Sequence, residues 1–374
     1  MVKSEVRTWI DIDSSAVKSN VKTMRSLLAK GTKLWAVVKS NAYGHGIFAM
    51  PPILEKAGVD GFCVDSIIEG LRLREFGIKK PVLVLGLTMP ANLESAKKSG
   101  VTVTISNFES LMKIAAIKNP PDFHLKIDTG MHRQGFYPEE VPELISKIKK
   151  SGALGSALKG VYTHFASAKD LNYPTYTEMQ FGQFMGVVFK LRAAGWTKLI
   201  RHAAATGGAL LNKKYHLDAV RAGIGLYGLW PSKELELQLQ EINFNPALSW
   251  KTVVGEVKKI KKGDYVGYDL VERANRDMTA AVLPVGYWHG FPRALSGRGE
   301  VLINGIRARV LGRVSMDMIA VDATGANCRF GDIVTLIGRN GDDEITAGEI
   351  ARLCDTSHYE TVTRLNPLME RVVI

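Results

Sequence analysis

Residues 34–46 read LWAVVKSNAYGHG, and the fold turns on this stretch. Leu34-Trp35-Ala36-Val37-Val38 is apolar without alternation, the pattern of a strand buried on both faces in a parallel sheet covered by helices. Lys39 follows where such a strand ends, and Ser40, Asn41, Tyr43, Gly44, His45 and Gly46 form a polar, glycine-containing exit. A lysine in that place has its amine at the mouth of a sheet or barrel, where α/β enzymes keep their chemistry. Taken alone, the plainer reading is an edge lysine whose ammonium reaches solvent. The chain around it has to decide.

Outward from this stretch, apolar runs and helix-period segments alternate. A helix-like stretch runs from Lys39 to Lys56 and closes at Gly58, with Pro51-Pro52 delaying its first turn. Strands are expected over 61–65, 82–85, 101–105, 123–127, 160–164, 198–202 and 218–221. Helical spacing covers 66–76, 91–99, 108–118, 138–150 and 175–194, with a short turn near 208–211. With the opening strand this makes eight βα units in about 240 residues, the size of a (β/α)8 TIM barrel. A doubly wound open sheet suits so regular a series less well.

Beyond Asn243 the texture changes to valine- and isoleucine-rich segments: 250–260, 278–284, 299–303, 307–313, 318–322 and 333–337. Asn304-Gly305 is a strong two-residue hairpin signal, and helical pattern returns only briefly at 346–354. The division expected is a barrel over 1–242 and a mainly β domain over 243–374.

A length of 374 residues with 46% hydrophobic content fits two soluble globular domains. No uninterrupted apolar stretch is long enough for a membrane span, and charges in MVKSEVRTWIDID replace the apolar run of a signal peptide. A cytoplasmic location is expected. Cys63, Cys328 and Cys354 are too few and too scattered for a disulfide framework or a metal site. The net charge of +12 is spread among acids without a nucleic-acid motif, so it reads as a solvated basic surface.

On a barrel, the residues just past each strand share one face. They include Lys39 and Tyr43, then Asp128 through Arg133, then His164, Thr206-Gly207-Gly208, Arg221 and Gly223. The loops after strands seven and eight are the usual phosphate site of this fold. Thr206-Gly207-Gly208 and Gly223-Ile224-Gly225 supply backbone-exposing segments there, although turns need glycine in any case. A rim lysine beside a phosphate site points to a Schiff base, and pyridoxal phosphate combines both needs.

The residues also carry a resemblance over essentially the whole chain. AVVKSNAYGHG at 36–46, LKIDTGMHRQGF at 125–136, THFA at 163–166, VRAGIGLYGL at 220–229, PVGY at 284–287 and GRVSMDM at 312–318 are co-linear motifs. The sequence resembles the alanine racemases, pyridoxal 5'-phosphate enzymes with an N-terminal barrel and a C-terminal β domain. The resemblance implies interconversion of L- and D-alanine, supplying D-alanine for peptidoglycan, by a homodimer with a shared site. Lys39 would form the aldimine and act as one base, and Tyr268, in VGYD, would be the opposite base from the partner subunit. Tyr43, Thr206, Gly223, Ile224 and Tyr359 look like the phosphate-binding set, Arg221 would face the pyridine nitrogen, and His164 would lie in a chain with it. Arg133 and Met316 look like substrate carboxylate contacts with Tyr287 and Asp317 nearby, while Lys126 matches a lysine often carboxylated. No metal, nucleic acid or membrane is implied.

Some positions depart from the family pattern. Ala205 stands where asparagine is common, Thr206 replaces serine, Trp288-His289 replaces a small residue and aspartate, and Ser315 stands where cysteine is common. These leave serine or lysine open as substrates. A decarboxylase of the same fold type would want an acid where Arg221 stands and a cysteine where Ser315 stands. A non-catalytic pyridoxal-phosphate carrier would lack the segment from Asn243 to Ile374.

Overall fold

The stretch that opened the reading becomes the strand Lys33–Val37, buried from Leu34 onward, in the computed structural model of the chain, which describes residues 6–374. It pairs in parallel with Gly61–Val64 on one side and Ala219–Ala222 on the other, so Trp35 lies opposite both Gly61 and Arg221. From Gly61–Val64 the sheet continues through Val82–Val84, Val101–Ile105, Phe123–Lys126 and Leu158–Tyr162 to Ile200–His202. Two backbone bonds, Asp218 N–H to Arg201 O (3.0 Å) and Arg221 N–H to Ala204 O (3.0 Å), bring the eighth strand against the seventh and close the ring. The expected (β/α)8 barrel is the observed one. Four of its strands, Gly61–Val64, Val82–Val84, Phe123–Lys126 and Ala219–Ala222, are buried along their whole length because side chains of both faces meet either the barrel interior or the helical layer.

The helices start where short polar side chains replace missing backbone partners. Ser66 and Glu69 form a reciprocal capping box ahead of Ile67–Glu75, and Asn107 Oδ1 accepts from Ser110 N–H ahead of Phe108–Ala115. One expectation fails after Lys39. No helix runs from there to Lys56; Ser40, Asn41, Ala42 and Tyr43 instead take left-handed φ values of 51–55°, and a right-handed helix begins only at Met50. Pro51 and Pro52 fall in its first turn, where their missing N–H groups cost nothing. Each left-handed non-glycine residue costs about 1–2 kcal/mol, so surrounding contacts must impose the turn.

Residues 15–42 and 50–245 form one unit of the chain; residues 6–14, 43–49 and 246–374 form the other. The second holds a mixed sheet in the order Glu256–Ile260, Met278–Leu283, Ile319–Asp322, Ile306–Leu311, Glu300–Ile303, Ile333–Asn340, Leu248–Val253, Thr8–Ile12, Glu370–Val373. Asn304 (φ 51°) and Gly305 (φ 78°) turn the hairpin that the sequence signalled. Two features differ from the sequence reading. Thr8–Ile12, unassigned there, is antiparallel to Leu248–Val253 and parallel to Glu370–Val373. The single segment 250–260 is two strands that do not pair with each other, because Gly255 N–H turns to Val282 O.

Candidate active site

The residues that the barrel strands deliver to their carboxyl ends form a strongly cationic rim. Lys39 Nζ lies 3.5 Å from Asp65 Oδ1. The peptide after it is tied down by Glu69, whose carboxylate accepts from Ser40 N–H (2.6 Å) as well as from Asp65 N–H and Ser66 N–H. One acid at a helix start therefore anchors both that helix and the residue following the lysine.

Arg221 is buried, and its hydrogen bonds among the described residues go to histidines and carbonyls rather than to a carboxylate. Its guanidinium donates to His202 Nδ1 (2.6 Å), His164 Nδ1 (3.2 Å), Thr163 O and Ala203 O, and rests over the Tyr162 ring at 5.0 Å. An arginine can only donate, so both histidines accept on Nδ1 and carry their proton on Nε2. His202 Nε2–H then donates to His124 Nδ1 at 2.8 Å. Burial first, and the charge of Arg221 second, hold all three imidazoles neutral: His124 is pushed down to about 3, and His164 and His202 well below the usual range. The charges of Lys126, Arg133 and Lys39 add to the effect on His164. His202 stacks on Tyr162 at 4.7 Å, and Gly160 leaves room for His124, since a Cβ there would come within 2.5–2.7 Å of its ring.

The segment from Asp128 to Gln134 wraps around one carboxylate. Asp128 Oδ1 accepts from the N–H groups of Gly130, Met131 and His132, and Oδ2 from those of Arg133 and Gln134. Burial works to raise this carboxyl, but the N–H groups together outweigh it and hold the pKa down at about 2. The chain geometry of Arg133 is thus fixed by its own backbone while its side chain stays exposed. Lys126, buried beside it, donates to Ile127 O (2.8 Å). Burial above all, with Arg221 and Arg133 acting the same way and Asp128 opposing, lowers its amine to about 7.

Thr206 Oγ1 accepts from Gly223 N–H (3.1 Å) and Gly225 N–H (3.4 Å), joining the two glycine-containing segments and leaving the hydroxyl proton to be donated onward. Ile224 opens the short helical turn Ile224–Tyr227. In the other unit, Tyr43 and Tyr359 face one another with ring centroids 6.2 Å apart, and burial raises the Tyr359 phenol. Tyr268 sits in a tight turn and is 69% exposed, as its neighbour Leu270 is at 65%. Tyr287 and Met316 are also exposed; Tyr287 N–H bonds Ser315 O and Trp288 N–H bonds Met316 O, so their loops, with Asp317, form one surface. The departure at Trp288-His289 resolves into two roles. His289 turns inward and accepts from Gly286 N–H on Nδ1, whereas Trp288 stays exposed.

Lys39, His164, Arg221, Lys126 and Arg133 are thus brought together on one barrel rim, and Tyr43 with Tyr359 in the β unit. The sequence reading left out His124, His202, Glu69 and the anchoring role of Asp128. His202 ends an expected strand, a signal that was available; His124 lies inside one and looks like core. No cluster of histidine, cysteine and acid among the described residues could hold a metal. The donor set fits pyridoxal phosphate. It offers a primary amine, backbone N–H groups with a hydroxyl for a phosphate, and excess positive charge for anions. Among the described residues, the hydrogen bonds of Arg221 leave from Nη1 and Nη2.

Comparison with known proteins bears on the same residues. Family models described as alanine racemase N-terminal domain and alanine racemase C-terminal domain match residues 12–231 and 247–373. The alanine racemase of Leptospira interrogans is 35% identical over 100% of this chain and 97% of its own length. That of Symbiobacterium thermophilum is 38% identical, over 97% of this chain and 96% of its own. The crystal structure of a Bacillus anthracis alanine racemase with bound L-Ala-P superposes with a TM-score of 0.91 at 33% identity, covering 99% of this chain and 95% of that one.

Proposed function

The chain belongs to the alanine racemase family, and on that premise we propose that it interconverts L- and D-alanine with pyridoxal phosphate on Lys39. The observation that carries the reading is the rim of Lys39, His164 and Arg221 in a chain matched to the family from residue 12 to residue 373. D-alanine made this way supplies peptidoglycan, and the cytoplasm is the place for it. No helix of the described residues is long and apolar enough to cross a membrane.

Racemisation removes a Cα proton and returns one to the opposite face. Bound pyridoxal phosphate supplies the electron sink for the pair left on Cα. The protein supplies one base for each face, Lys39 and, from the partner subunit of a homodimer, Tyr268. A phenol in water has a pKa of ~10, so a tyrosine base needs donors at its oxygen. The Nε2–H of His164, fixed by Arg221, is such a donor. The exposure of Tyr268 supports its delivery to another subunit. Thr206, Gly223, Ile224, Tyr43 and Tyr359 would hold the phosphate. Arg133 and Met316, with Tyr287 and Asp317 close by, would hold the substrate carboxylate, and Lys126, carboxylated, would orient Arg133. In this division of labour the barrel carries the cofactor and the domain from residue 243 carries the second base.

The test is purified holoenzyme offered each L-amino acid, with the D-enantiomer as readout. D-alanine from L-alanine is expected; D-serine or D-lysine formed in its place would overturn the substrate assignment.

A further inference from the structure

Tyr43 occupies a left-handed conformation (φ 52°) that a tyrosine does not adopt unaided, so something must hold it there. The holding groups come from the far end of the chain. Arg371, in the last strand Glu370–Val373, sends each of its three guanidinium nitrogens to backbone carbonyls. Nε (3.3 Å) and Nη2 (2.9 Å) fork onto Gly44 O, Nη2 also reaches Leu365 O (3.4 Å), and Nη1 reaches Asn366 O (2.7 Å) and Met369 O (2.6 Å). Its aliphatic stem packs on the same turn, since a Cβ on Gly46 would stand 3.2 Å from Arg371 Cγ.

From the other side the turn presses on the helix His358–Thr363. Gly44 has φ +79°, and a Cβ there would overlap Val362 O at 1.8 Å. That helix carries Tyr359, the ring facing Tyr43. His45 Nδ1–H closes the turn by donating to Tyr43 O at 2.9 Å. The last strand does not need Arg371 to stay in place, because it is paired along Thr8–Ile12 from Glu370 to Val373. A guanidinium taken out of water whose hydrogen bonds among the described residues go to carbonyls is costly, and burial lowers its pKa to about 10. Its bonds to the distant part of the chain are the fork on Gly44 O, directly after Tyr43.

We propose that Arg371 is a positioning residue for cofactor binding, clamping the 43–46 turn so that the Tyr43 hydroxyl is presented to the phosphate beside Tyr359. The proposal rests on the reading of Tyr43 as a phosphate contact. Its requirement is for the fork, not for positive charge alone, because a lysine has one nitrogen where the arginine spans carbonyls on two segments.

The test measures pyridoxal phosphate affinity of the apoprotein by absorbance titration for wild type, Arg371→Lys, Arg371→Ala, Tyr43→Phe and Arg307→Ala. Arg307, which pairs with Glu300, Asp343 and Glu349 in the same unit, is the control for lost stability. Both Arg371 variants are expected to bind about 10- to 100-fold more weakly, the equivalent of one or two charge-assisted hydrogen bonds. Arg307→Ala should melt earlier but bind normally. In the apoprotein, the amides of residues 43–46 should exchange faster in Arg371→Lys than in wild type. Wild-type affinity in both Arg371 variants, with Tyr43→Phe weakened, sinks the clamp alone. Equal weakening in Arg307→Ala also sinks it, by showing a general stability effect. Wild-type affinity in Tyr43→Phe removes the phosphate reading and the clamp with it.

Discussion

Replacing Asp128 by asparagine tests whether one buried carboxylate organises the loop that carries Arg133. The wild-type side chain accepts five backbone N–H groups, three on Oδ1 and two on Oδ2. The substituted amide could keep the Oδ1 set through its oxygen, but its NH2 would then point at the N–H groups of Arg133 and Gln134, donor against donor. The carboxyl lies at about 2, against ~3.9 unfolded, and at 1.36 kcal/mol per unit this linkage is worth up to about 2.5 kcal/mol, less to the extent that water at the rim screens the charge. Loss of two charge-assisted bonds gives a cost of the same order. For a domain of this size the melting temperature should fall by about 5–10 °C. The pH dependence follows from the sign of the shift. A depressed acid stabilises fully above its unfolded pKa, so the deficit of Asp128→Asn should be constant from about pH 8 down to about 5 and shrink only below about 4. The assay is thermal unfolding of the apoprotein across that range, with the KM for alanine of the holoenzyme rising as Arg133 loses its fixed backbone. A variant as stable as wild type, or a deficit already gone at pH 6, would show that this carboxylate does not organise the loop.

Other expectations concern neighbouring groups. Gly160→Ala puts a methyl into the His124 ring and should cost about 1–3 kcal/mol by overpacking; unchanged melting together with unchanged activity would show that the His124–His202 pair tolerates displacement. With its amine at about 7, Lys126 is largely neutral in mildly alkaline buffer and open to CO2. Intact-protein mass measured in bicarbonate should show one added CO2 above about pH 7.5 and lose it below about pH 6, and no adduct at any pH argues for a free lysine. Arg221→Glu offers a proton to the ring nitrogen that arginine cannot give up, so the ratio of pyruvate formed to alanine racemised should rise. An unchanged ratio would separate Arg221 from reaction specificity.

The barrel was legible because its strands are short apolar runs buried on both faces, and helix stops at Gly77, Gly100 and Gly195 punctuate them. Of the rim, Lys39, Asp128 through Arg133, His164 and Arg221 followed from strand ends, Lys126 came only with the family resemblance, and Tyr43, expected on the barrel, falls in the other unit. Thr8–Ile12 was not legible, because its ladder partners Leu248–Val253 and Glu370–Val373 lie at the other end of the chain. Local pattern does not contain such pairings. The left-handed turn at 40–43 was hidden for a related reason. Ser, Asn, Ala and Tyr are ordinary helix residues, and the fold imposes their φ through contacts such as those of Glu69 on Ser40. His124 was hidden because a neutral, hydrogen-bonded imidazole inside a strand has no sequence pattern of its own, whereas His202 stood at the end of an expected strand and was passed over.

Everything proposed for the reaction depends on Lys39 of one subunit and Tyr268 of the other serving as the two bases of one site. Two variants, Lys39→Ala and Tyr268→Phe, each inactive as homodimers, test this when unfolded, mixed in equal amounts and refolded together. In a heterodimer one shared site carries both substitutions and the other carries neither. Random pairing therefore predicts recovery of about a quarter of wild-type activity. A mixture as inactive as its two parents would contradict the shared site.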